Sequence, residues 1–422
     1  MKYLLVIGDG MADESQPELG GKTPIQYAKT PAMDSLCSAG MIGSALTVPI
    51  GMQAGSDVAI LSIFGYDPCK FLSGRAPLEA AAMDIKLNPG DIAYRCNIVS
   101  FEDKDVPFYD KKILSHSGGS IEGNLSDTLI MDLIKDTGFL KLLNEAEMTI
   151  YPGNSFRHIA VQKNAQEDCF AANKAHGVQS LTTYPPHDYI GETLGQYLPK
   201  GNEQAELLAK MIQYAHDFLN NHPINLKQRE ESKLPANGIW FWAEGTATDL
   251  PDFKSLYGKT GAVISAVPLC QGIGVMVGLR KILVEGATGE LYTNYEGKVQ
   301  AAVDALADVD FVTVHIEAPD ECTHNGDMKG KLQAIEWVDS RVVAPLVEKL
   351  KASGVDFRML VMSDHKTLLS TRGHDGSPVP YIIYDSRINN NSGLKFCEEN
   401  AEAEKDNYIE PATKLMGILF NG

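Results

Sequence analysis

Strand-like runs of apolar residues alternate with helix-like segments along much of the chain. The runs occupy residues 2–7, 261–269, 310–320 and 357–364. Apolar positions with helical spacing follow at 297–306 and 331–349. A continuous apolar run is typical of a strand that is buried on both faces, and its alternation with helices is typical of a mostly parallel sheet covered on both sides. The pattern therefore predicts an α/β core.

The stretch 53–68, QAGSDVAILSIFGYDP, predicts a helix that begins near Ser56. Its apolar residues between 58 and 64 suit one face of a helix better than the alternation of a strand. A serine at a helix N-terminus commonly caps an unpaired amide. The same amides attract anions, so a serine there is also well placed to meet phosphate. The helix alone leaves the capping role and a nucleophilic role open.

The pattern loosens between residues 76 and 235. Strand-like segments lie at 92–101 and 148–163, helix-like segments at 126–139 and 203–219, and a polar run at 226–235. From residue 238 the apolar runs return, beginning with GIWFWAEG. We therefore predict a core of residues 1–75 and 236–422 and an inserted, smaller α+β domain of residues 76–235.

Composition and charge narrow the class of protein. The 422 residues carry a formal net charge of −18, which opposes binding to nucleic acid or to an anionic membrane. No signal-peptide pattern and no long uncharged apolar run is evident, and the seven cysteines show no CxxC spacing. We therefore expect a soluble, cytoplasmic protein with reduced thiols. An anionic substrate would need local cations or metal.

Metal-type ligands follow three of the strand-like runs. These are Asp9, then Asp320 and His324, and then Asp364 and His365, with His374 shortly afterwards. Singly, such an Asp is commonly a turn or cap residue, and such a His is commonly an ordinary hydrogen-bonded residue. Ligands bind at the carboxyl ends of strands in open α/β sheets, so these side chains can converge on one crevice. Mixed carboxylate and imidazole donors suit Mn or Zn.

Five motifs in this order resemble one family. GDGMAD, AGSDVAILSIFGYDP, APDECTH, SDH and GHDGSPVP are similar to those of the cofactor-independent phosphoglycerate mutases, in the branch first known from archaea, within the alkaline phosphatase superfamily. The resemblance extends over essentially the whole chain. It implies an alkaline-phosphatase-like three-layer α/β core with an inserted cap domain, and interconversion of 3-phosphoglycerate and 2-phosphoglycerate without a bisphosphoglycerate cofactor.

The same resemblance implies two divalent metal ions, with manganese as the first choice and zinc, magnesium or cobalt as alternatives. One ion would be held by Asp9, Ser56, Asp364 and His365, and the other by Asp320, His324 and His374. Ser56 would carry the phosphoryl group, since metal favours the alkoxide of a serine that is otherwise a poor nucleophile. The inserted domain would close over the site and shield the intermediate from water.

Candidates for gripping a small phosphorylated substrate are cations and histidines of the inserted segment. They are Arg95, Arg157, His158 and, as a weaker choice, His187. Arginine offers a planar fork for carboxylate or phosphate, although each of these residues is equally compatible with an ordinary surface ion pair. The sequence leaves the oligomeric state open.

Two other functions compete with the mutase. The stretches GIWFWAEGTATDLPDF, EGATGELYTNYEGK and HIEAPDE also resemble a subgroup proposed to act as a homoserine kinase, which would use the same metals and Ser56. The chain lacks a complete phosphate-loop motif, which argues against an ATP-binding fold of that kind. A protein of another class, a non-catalytic metal-binding protein, would need the ligands but no competent nucleophile.

Overall fold

The computed structural model describes residues 1–153, 155–165 and 181–421. Its strands are β1 (Lys2–Gly8), β2 (Met41–Ala45), β3 (Ile92–Phe101), β4 (Ile113–Ser115), β5 (Met148–Tyr151), β6 (Arg157–Gln162), β7 (Gly238–Thr246), β8 (Gly261–Ile264), β9 (Arg280–Ile282), β10 (Phe311–Ile316), β11 (Phe357–Met362), β12 (Lys366–Leu368), β13 (Gly373–Asp375) and β14 (Val379–Asp385).

The helices fall mainly between these strands. The α-helices are Pro24–Tyr27, Pro31–Ala39, Ser56–Ile63, Pro68–Phe71, Arg75–Ala82, Gly123–Lys135, Thr137–Glu145, Glu203–Asn220, Pro223–Glu230, Phe253–Tyr257, Pro268–Met276, Tyr295–Ala305, Ala318–His324, Met328–Trp337, Ala344–Ser353, Glu398–Ala403 and Leu415–Asn421. A π-helical segment, Val338–Val343, joins two of them. Short 3₁₀ helices are Pro17–Leu19, Phe108–Asp110, Pro186–Tyr189, Leu194–Gln196, Lys405–Asn407 and Ala412–Lys414.

The chain forms two compact units, residues 1–72 with 250–422 and residues 73–249. The first unit contains a seven-stranded sheet in the order β2-β14-β11-β1-β10-β8-β9. The strands β11, β1, β10, β8 and β9 run parallel, and β14 is antiparallel to both of its neighbours. This confirms the predicted α/β class with a mostly parallel sheet.

Burial of the central strand β1 shows how the sheet is covered. Its consecutive residues Leu4, Leu5, Val6 and Ile7 are all fully buried. Successive side chains of a strand point to opposite faces, so both faces of β1 are covered. This is the layered arrangement that the continuous apolar run predicts.

The second unit contains an antiparallel sheet around β3. This strand pairs with β4, β6 and β7, and β5 pairs with β6. Its core includes buried residues of the strands and of the helices 123–135, 137–145 and 203–220. The unit therefore has its own sheet and its own hydrophobic core.

The strand β7 corrects the predicted domain boundary at residue 236. The sequence places the run from Gly238 in the core domain, but this run pairs with β3 in the second unit. An apolar run shows that a strand is buried without showing which sheet buries it. In the structure the second unit consequently extends from Ser73 to Asp249.

Candidate active site

The topology of the first sheet brings three ligand-bearing segments to one edge. Strand β1 lies between β10 and β11, with Gly8 beside Ile316 and Ile7 beside Met362. The residue that follows β1 therefore lies between the residues that follow β10 and β11. The backbone amide of Gly10 donates to Asp364 Oδ1 at 3.1 Å, which joins the first and third segments directly.

Ser56 is the first residue of the helix Ser56–Ile63, and Gly55 occupies the capping position. Its hydroxyl does not cap the helix. Instead, Ser56 Oγ lies 3.1 Å from His365 Nε2 and 3.4 Å from Asp9 Oδ2. The structure thus favours the second of the two roles that the sequence leaves open, because the hydroxyl points to the acidic and histidine side chains.

The first group of metal-type ligands surrounds Ser56. His365 Nε2 lies 3.5 Å from Asp9 Oδ1 and 3.4 Å from Asp364 Oδ2. All three side chains are buried, and these two carboxylate oxygens have no hydrogen-bond partner among the described residues. Burial, followed by the charges of Asp364, Asp320 and Glu317, raises the pKa of Asp9 well above its ordinary value. Closely spaced buried carboxylates with unsatisfied oxygens fit a divalent cation.

The second group lies beside the first. Asp320 Oδ2 is 3.0 Å from His324 Nε2, Asp320 Oδ1 is 3.5 Å from His374 Nε2, and the two Nε2 atoms are 2.9 Å apart. The Nδ1 atoms face backbone oxygens, those of Arg372 at 2.8 Å and Ala54 at 3.3 Å. Nδ1–H donation to a carbonyl leaves the Nε2 lone pair free for a metal ion, so this donor set also fits one.

The pKa shifts of Asp320 and His324 show that the members of the second group interact strongly. The hydrogen bond with Asp320, offset by burial, raises the pKa of His324 to about 9. Burial raises the pKa of Asp320, but the hydrogen bonds from His324 and His374 outweigh it and leave that pKa well below its ordinary value. A cation bound here would replace the proton that these groups otherwise share.

The structure adds residues that the sequence analysis does not identify. His315, inside β10, lies with Nε2 3.0 Å from Asp9 Oδ2 and Nδ1 3.0 Å from Ser265 Oγ. Thr367 donates its hydroxyl to Asp320 Oδ1 at 2.6 Å. Glu317 follows β10 directly, and burial, followed by the charge of Asp320, raises its pKa to about 8. A histidine inside a mostly apolar, fully buried strand is the signal that would have indicated His315.

The described residues contain three groups whose ligand atoms lie within 4.8 Å of one another. The groups are Asp320 with His365 and His374, Asp9 with Asp364 and His365, and Asp9 with His315 and Glu317. The sets that contain Asp364 or His374 consist of ligands predicted from the sequence. His324 contacts Asp320 and His374. The six predicted Asp and His ligands and Ser56 are therefore brought together in one unit.

The substrate-binding candidates lie in the second unit and differ in environment. Arg95 forms an ion pair with Glu79 at 3.1 Å, and its guanidinium lies 4.2 Å from the centre of the Trp242 ring. Arg157 is exposed, and its guanidinium lies 4.9 Å from the centre of the Phe156 ring.

The two histidine candidates are unlike each other. His187 is exposed, and its ring centre is 5.2 Å from that of Trp242 and 6.0 Å from that of His116. His158 is buried, with Nδ1 3.0 Å from the Gly153 amide and Nε2 3.1 Å from Ser126 Oγ. Both of its nitrogens are engaged within the unit, so this environment favours a structural role for His158.

The first unit is therefore an α/β protein whose mostly parallel sheet has a serine, acidic residues and histidines at its carboxyl edge. The sequence model of the family of 2,3-bisphosphoglycerate-independent phosphoglycerate mutases matches residues 37–225. The chain is 42% identical to the enzyme of that name from Methanosarcina acetivorans, over 99% of both chains. It belongs to the family of 2,3-bisphosphoglycerate-independent phosphoglycerate mutases.

Solved structures agree with the fold. A protein of Pyrococcus horikoshii aligns with a TM-score of 0.77 and 27% identity over 99% of this chain and 96% of that one. The cofactor-independent phosphoglycerate mutase of Thermoplasma acidophilum aligns with a TM-score of 0.65 and 23% identity over 99% of both chains. Family membership implies the use of divalent metal, which the donor sets described above fit. Across the ranges that the structure describes, every helix is too short or too polar to cross a membrane.

Proposed function

We propose that this protein interconverts 3-phosphoglycerate and 2-phosphoglycerate through a phosphorylated Ser56. The observation that carries the proposal is the position of Ser56 Oγ, 3.1 Å from His365 Nε2 and 3.4 Å from Asp9 Oδ2, at the N-terminus of a helix. Membership of the mutase family supports the reaction, and the helix N-terminus favours the negative charge of a phosphoryl group.

We propose that two divalent ions, manganese first among them, bind the two ligand groups. One would be held by Asp9, Ser56, Asp364 and His365, and the other by Asp320, His324 and His374. Bound metal would favour the ionised form of the serine hydroxyl and neutralise charge on the phosphoryl oxygens. The unsatisfied oxygens of Asp9 and Asp364 and the close Nε2 atoms of His324 and His374 support this assignment.

Two transfers then complete the reaction. Ser56 loses its hydroxyl proton and its Oγ attacks phosphorus, the bond between phosphorus and the glycerate oxygen breaks, and that oxygen takes up a proton to become a hydroxyl. After the glycerate re-orients, its other hydroxyl loses a proton and attacks the phosphorus of the phosphoserine. The bond between phosphorus and Ser56 Oγ breaks, and Ser56 regains its hydroxyl proton. The phosphoryl group moves from one hydroxyl to the other, and no net proton or water is consumed.

We propose that the cationic side chains of the second unit grip the anionic glycerate. Burial is the main cause that lowers the pKa of His116, and the charges of His187, Arg157 and Arg95 lower it further. Several positive groups gathered in one region suit a substrate that carries a carboxylate and a phosphate. Arg95, Arg157 and His187 thus remain the proposed contacts. A cytoplasmic location is proposed with them.

The two alternative functions are not favoured. Relatives from Methanosarcina acetivorans, Methanosarcina barkeri and Methanosarcina mazei align over at least 99% of the chain, and all three carry the mutase name. A purely metal-binding role would leave unexplained why the Ser56 hydroxyl points into the ligand groups rather than at its own helix.

The test is an enolase-coupled assay of Ser56→Ala with 3-phosphoglycerate and Mn²⁺. We expect turnover to fall at least about 10³-fold with the fold intact, because the group that accepts phosphate is removed. Ser62→Ala is the matched control, since Ser62 is a buried serine of the same helix. Unchanged turnover in Ser56→Ala would exclude the covalent mechanism. Transfer from ATP to homoserine, without mutase turnover in the wild-type protein, would favour the kinase.

A further inference from the structure

A buried ion pair lies behind the ligand groups. Lys331, in the helix Met328–Trp337, is fully buried, and its Nζ donates to Asp13 Oδ2 at 2.7 Å and to the Thr367 carbonyl at 2.6 Å. The Asp13 side chain is equally inaccessible to solvent. Removing two charges from water is costly, so such a pair is weak evidence for a gain in stability. Its other contacts indicate a different role.

Thr367 links the ion pair to both ligand groups. Its backbone carbonyl accepts from Lys331, and its hydroxyl donates to Asp320 Oδ1 at 2.6 Å. The hydroxyl oxygen of Thr367 also lies 3.2 Å from His365 Nδ1. Asp320 belongs to one group of proposed ligands and His365 to the other. The position of strand β12, which contains Thr367, therefore affects the orientation of one ligand in each group.

Asp13 links the pair to the loop that follows β1 and contains Asp9. Asp13 Oδ1 accepts from the Glu14 amide at 2.7 Å, and Asp13 Oδ2 accepts from the Leu369 amide at 3.3 Å. In the same loop the Ala12 carbonyl accepts from the Thr367 amide at 3.1 Å. The loop 9–13 and the segment 367–369 are thus joined on both sides of the buried charge pair.

We propose that Lys331 and Asp13 are positioning residues, which hold the loop 9–13 and strand β12 so that Asp9, Asp320 and His365 are oriented before metal binds. The inference rests on the proposed metal centre. Neither residue touches the reacting atoms. Their effect passes through the Asp13 loop to Asp9 and through Thr367 to Asp320 and His365.

The test measures Mn²⁺ affinity of the metal-free full chain by calorimetry, alongside unfolding in urea. Lys331→Met alone leaves a buried, unpaired Asp13 charge and should destabilise the fold. The double variant Lys331→Met/Asp13→Asn removes both charges, so we expect its stability to recover towards the wild-type value. Its Mn²⁺ affinity should stay about 10- to 100-fold lower, the usual cost of losing a residue that orients a ligand.

The control is a buried ion pair within the seven-stranded sheet. Arg358 Nε donates to Asp385 Oδ2 at 2.7 Å, between β11 and β14, and neither residue contacts a proposed ligand through a described hydrogen bond. Arg358→Met/Asp385→Asn should change the urea midpoint and leave Mn²⁺ affinity unchanged. This separates loss of a buried ion pair from loss of ligand orientation.

A second variant keeps the test decisive if the double variant does not fold. Thr367→Val removes the hydroxyl that bonds Asp320 but keeps the carbonyl that Lys331 holds, and it should also weaken Mn²⁺ binding about 10- to 100-fold. Wild-type affinity in Thr367→Val, or in a folded double variant, would overturn the inference. Wild-type protein that binds Mn²⁺ but lacks mutase turnover would overturn only the proposed function, whereas wild-type protein that binds no Mn²⁺ would overturn both.

Discussion

At the scale of single residues, Gly10 shows how closely the ligand segments approach one another. Its φ is +58°, and a Cβ atom added there would lie 2.4 Å from Thr367 Oγ1 and 2.7 Å from Asp320 Oδ1. Only glycine combines this backbone conformation with such a close approach. A side chain at this position would push directly on a proposed metal ligand.

We predict that Gly10→Ala weakens Mn²⁺ binding about 10- to 100-fold and also destabilises the protein. The matched control is Gly20→Ala, because Gly20 has a φ of +69° and nothing within 4 Å of an added Cβ. Both variants carry the strain of a left-handed alanine, about 1–2 kcal/mol, and only Gly10→Ala adds a clash. Calorimetric titration and urea unfolding measure the two effects. Equal Mn²⁺ affinity in both variants would contradict the prediction.

The sequence indicates the candidate ligands well but not the residues that hold them. Asp9, Asp364 and His365 follow apolar runs, so the rule that sites form at strand ends finds them. Lys331 and Thr367 carry no such signal. Their roles depend on contacts with Asp13 and Asp320, which lie 318 and 47 positions away in the chain.

At the scale of elements, buried strands are predictable where a run is continuous, but helix breaks and strand partners are not. The helix-like segment 126–139 is two helices, Gly123–Lys135 and Thr137–Glu145, because Asp136 Oδ1 accepts from the amides of Gly138 and Phe139 and begins a second helix. The partner of β7 is β3, more than a hundred residues earlier. Local patterns do not contain such long-range pairing.

We predict that the second unit loses stability as pH falls, because His158 is buried in the antiparallel pair β5–β6. His158, in β6, is buried, and its Nδ1 accepts from the Gly153 amide, while Ser126 Oγ donates to the Ser155 carbonyl and lies 3.1 Å from Nε2. A proton on Nδ1 would face the Gly153 N–H, which also donates. Burial lowers the pKa of His158 to about 4.

The direction of this pH dependence follows from the number of protons that the folded and unfolded states bind. Between pH 6.5 and 4 the unfolded chain binds a proton at His158 that the folded chain does not, so stability falls as pH falls, by about 3 kcal/mol from this residue at pH 4. We expect His158→Asn to be less stable at pH 7 and to depend less on pH in this window. Urea unfolding followed by tryptophan fluorescence measures this, since Trp240 and Trp242 lie in the same sheet. An unchanged pH slope in the variant would contradict it.

At the scale of the whole molecule, the proposed metal ligands all belong to one compact unit. Residues 1–72 and 250–422 contain both ligand groups and Ser56, whereas residues 73–249 contain a separate sheet and hydrophobic core. A ligand stabilises only the part of a protein whose folded state binds it. Metal should therefore affect the two units unequally.

We predict two thermal transitions, of which Mn²⁺ shifts only the one that belongs to the first unit. At a metal concentration 100 times the dissociation constant the stabilisation is about 2.7 kcal/mol, which raises the melting temperature of a unit of this size by roughly 5–10 °C. Calorimetry with Mn²⁺ and with a chelator measures this shift, and residues 73–249 expressed alone identify the transition that stays in place. A shift of that fragment's melting temperature by Mn²⁺ would contradict the assignment, because the site would then extend beyond the unit that contains all its proposed ligands.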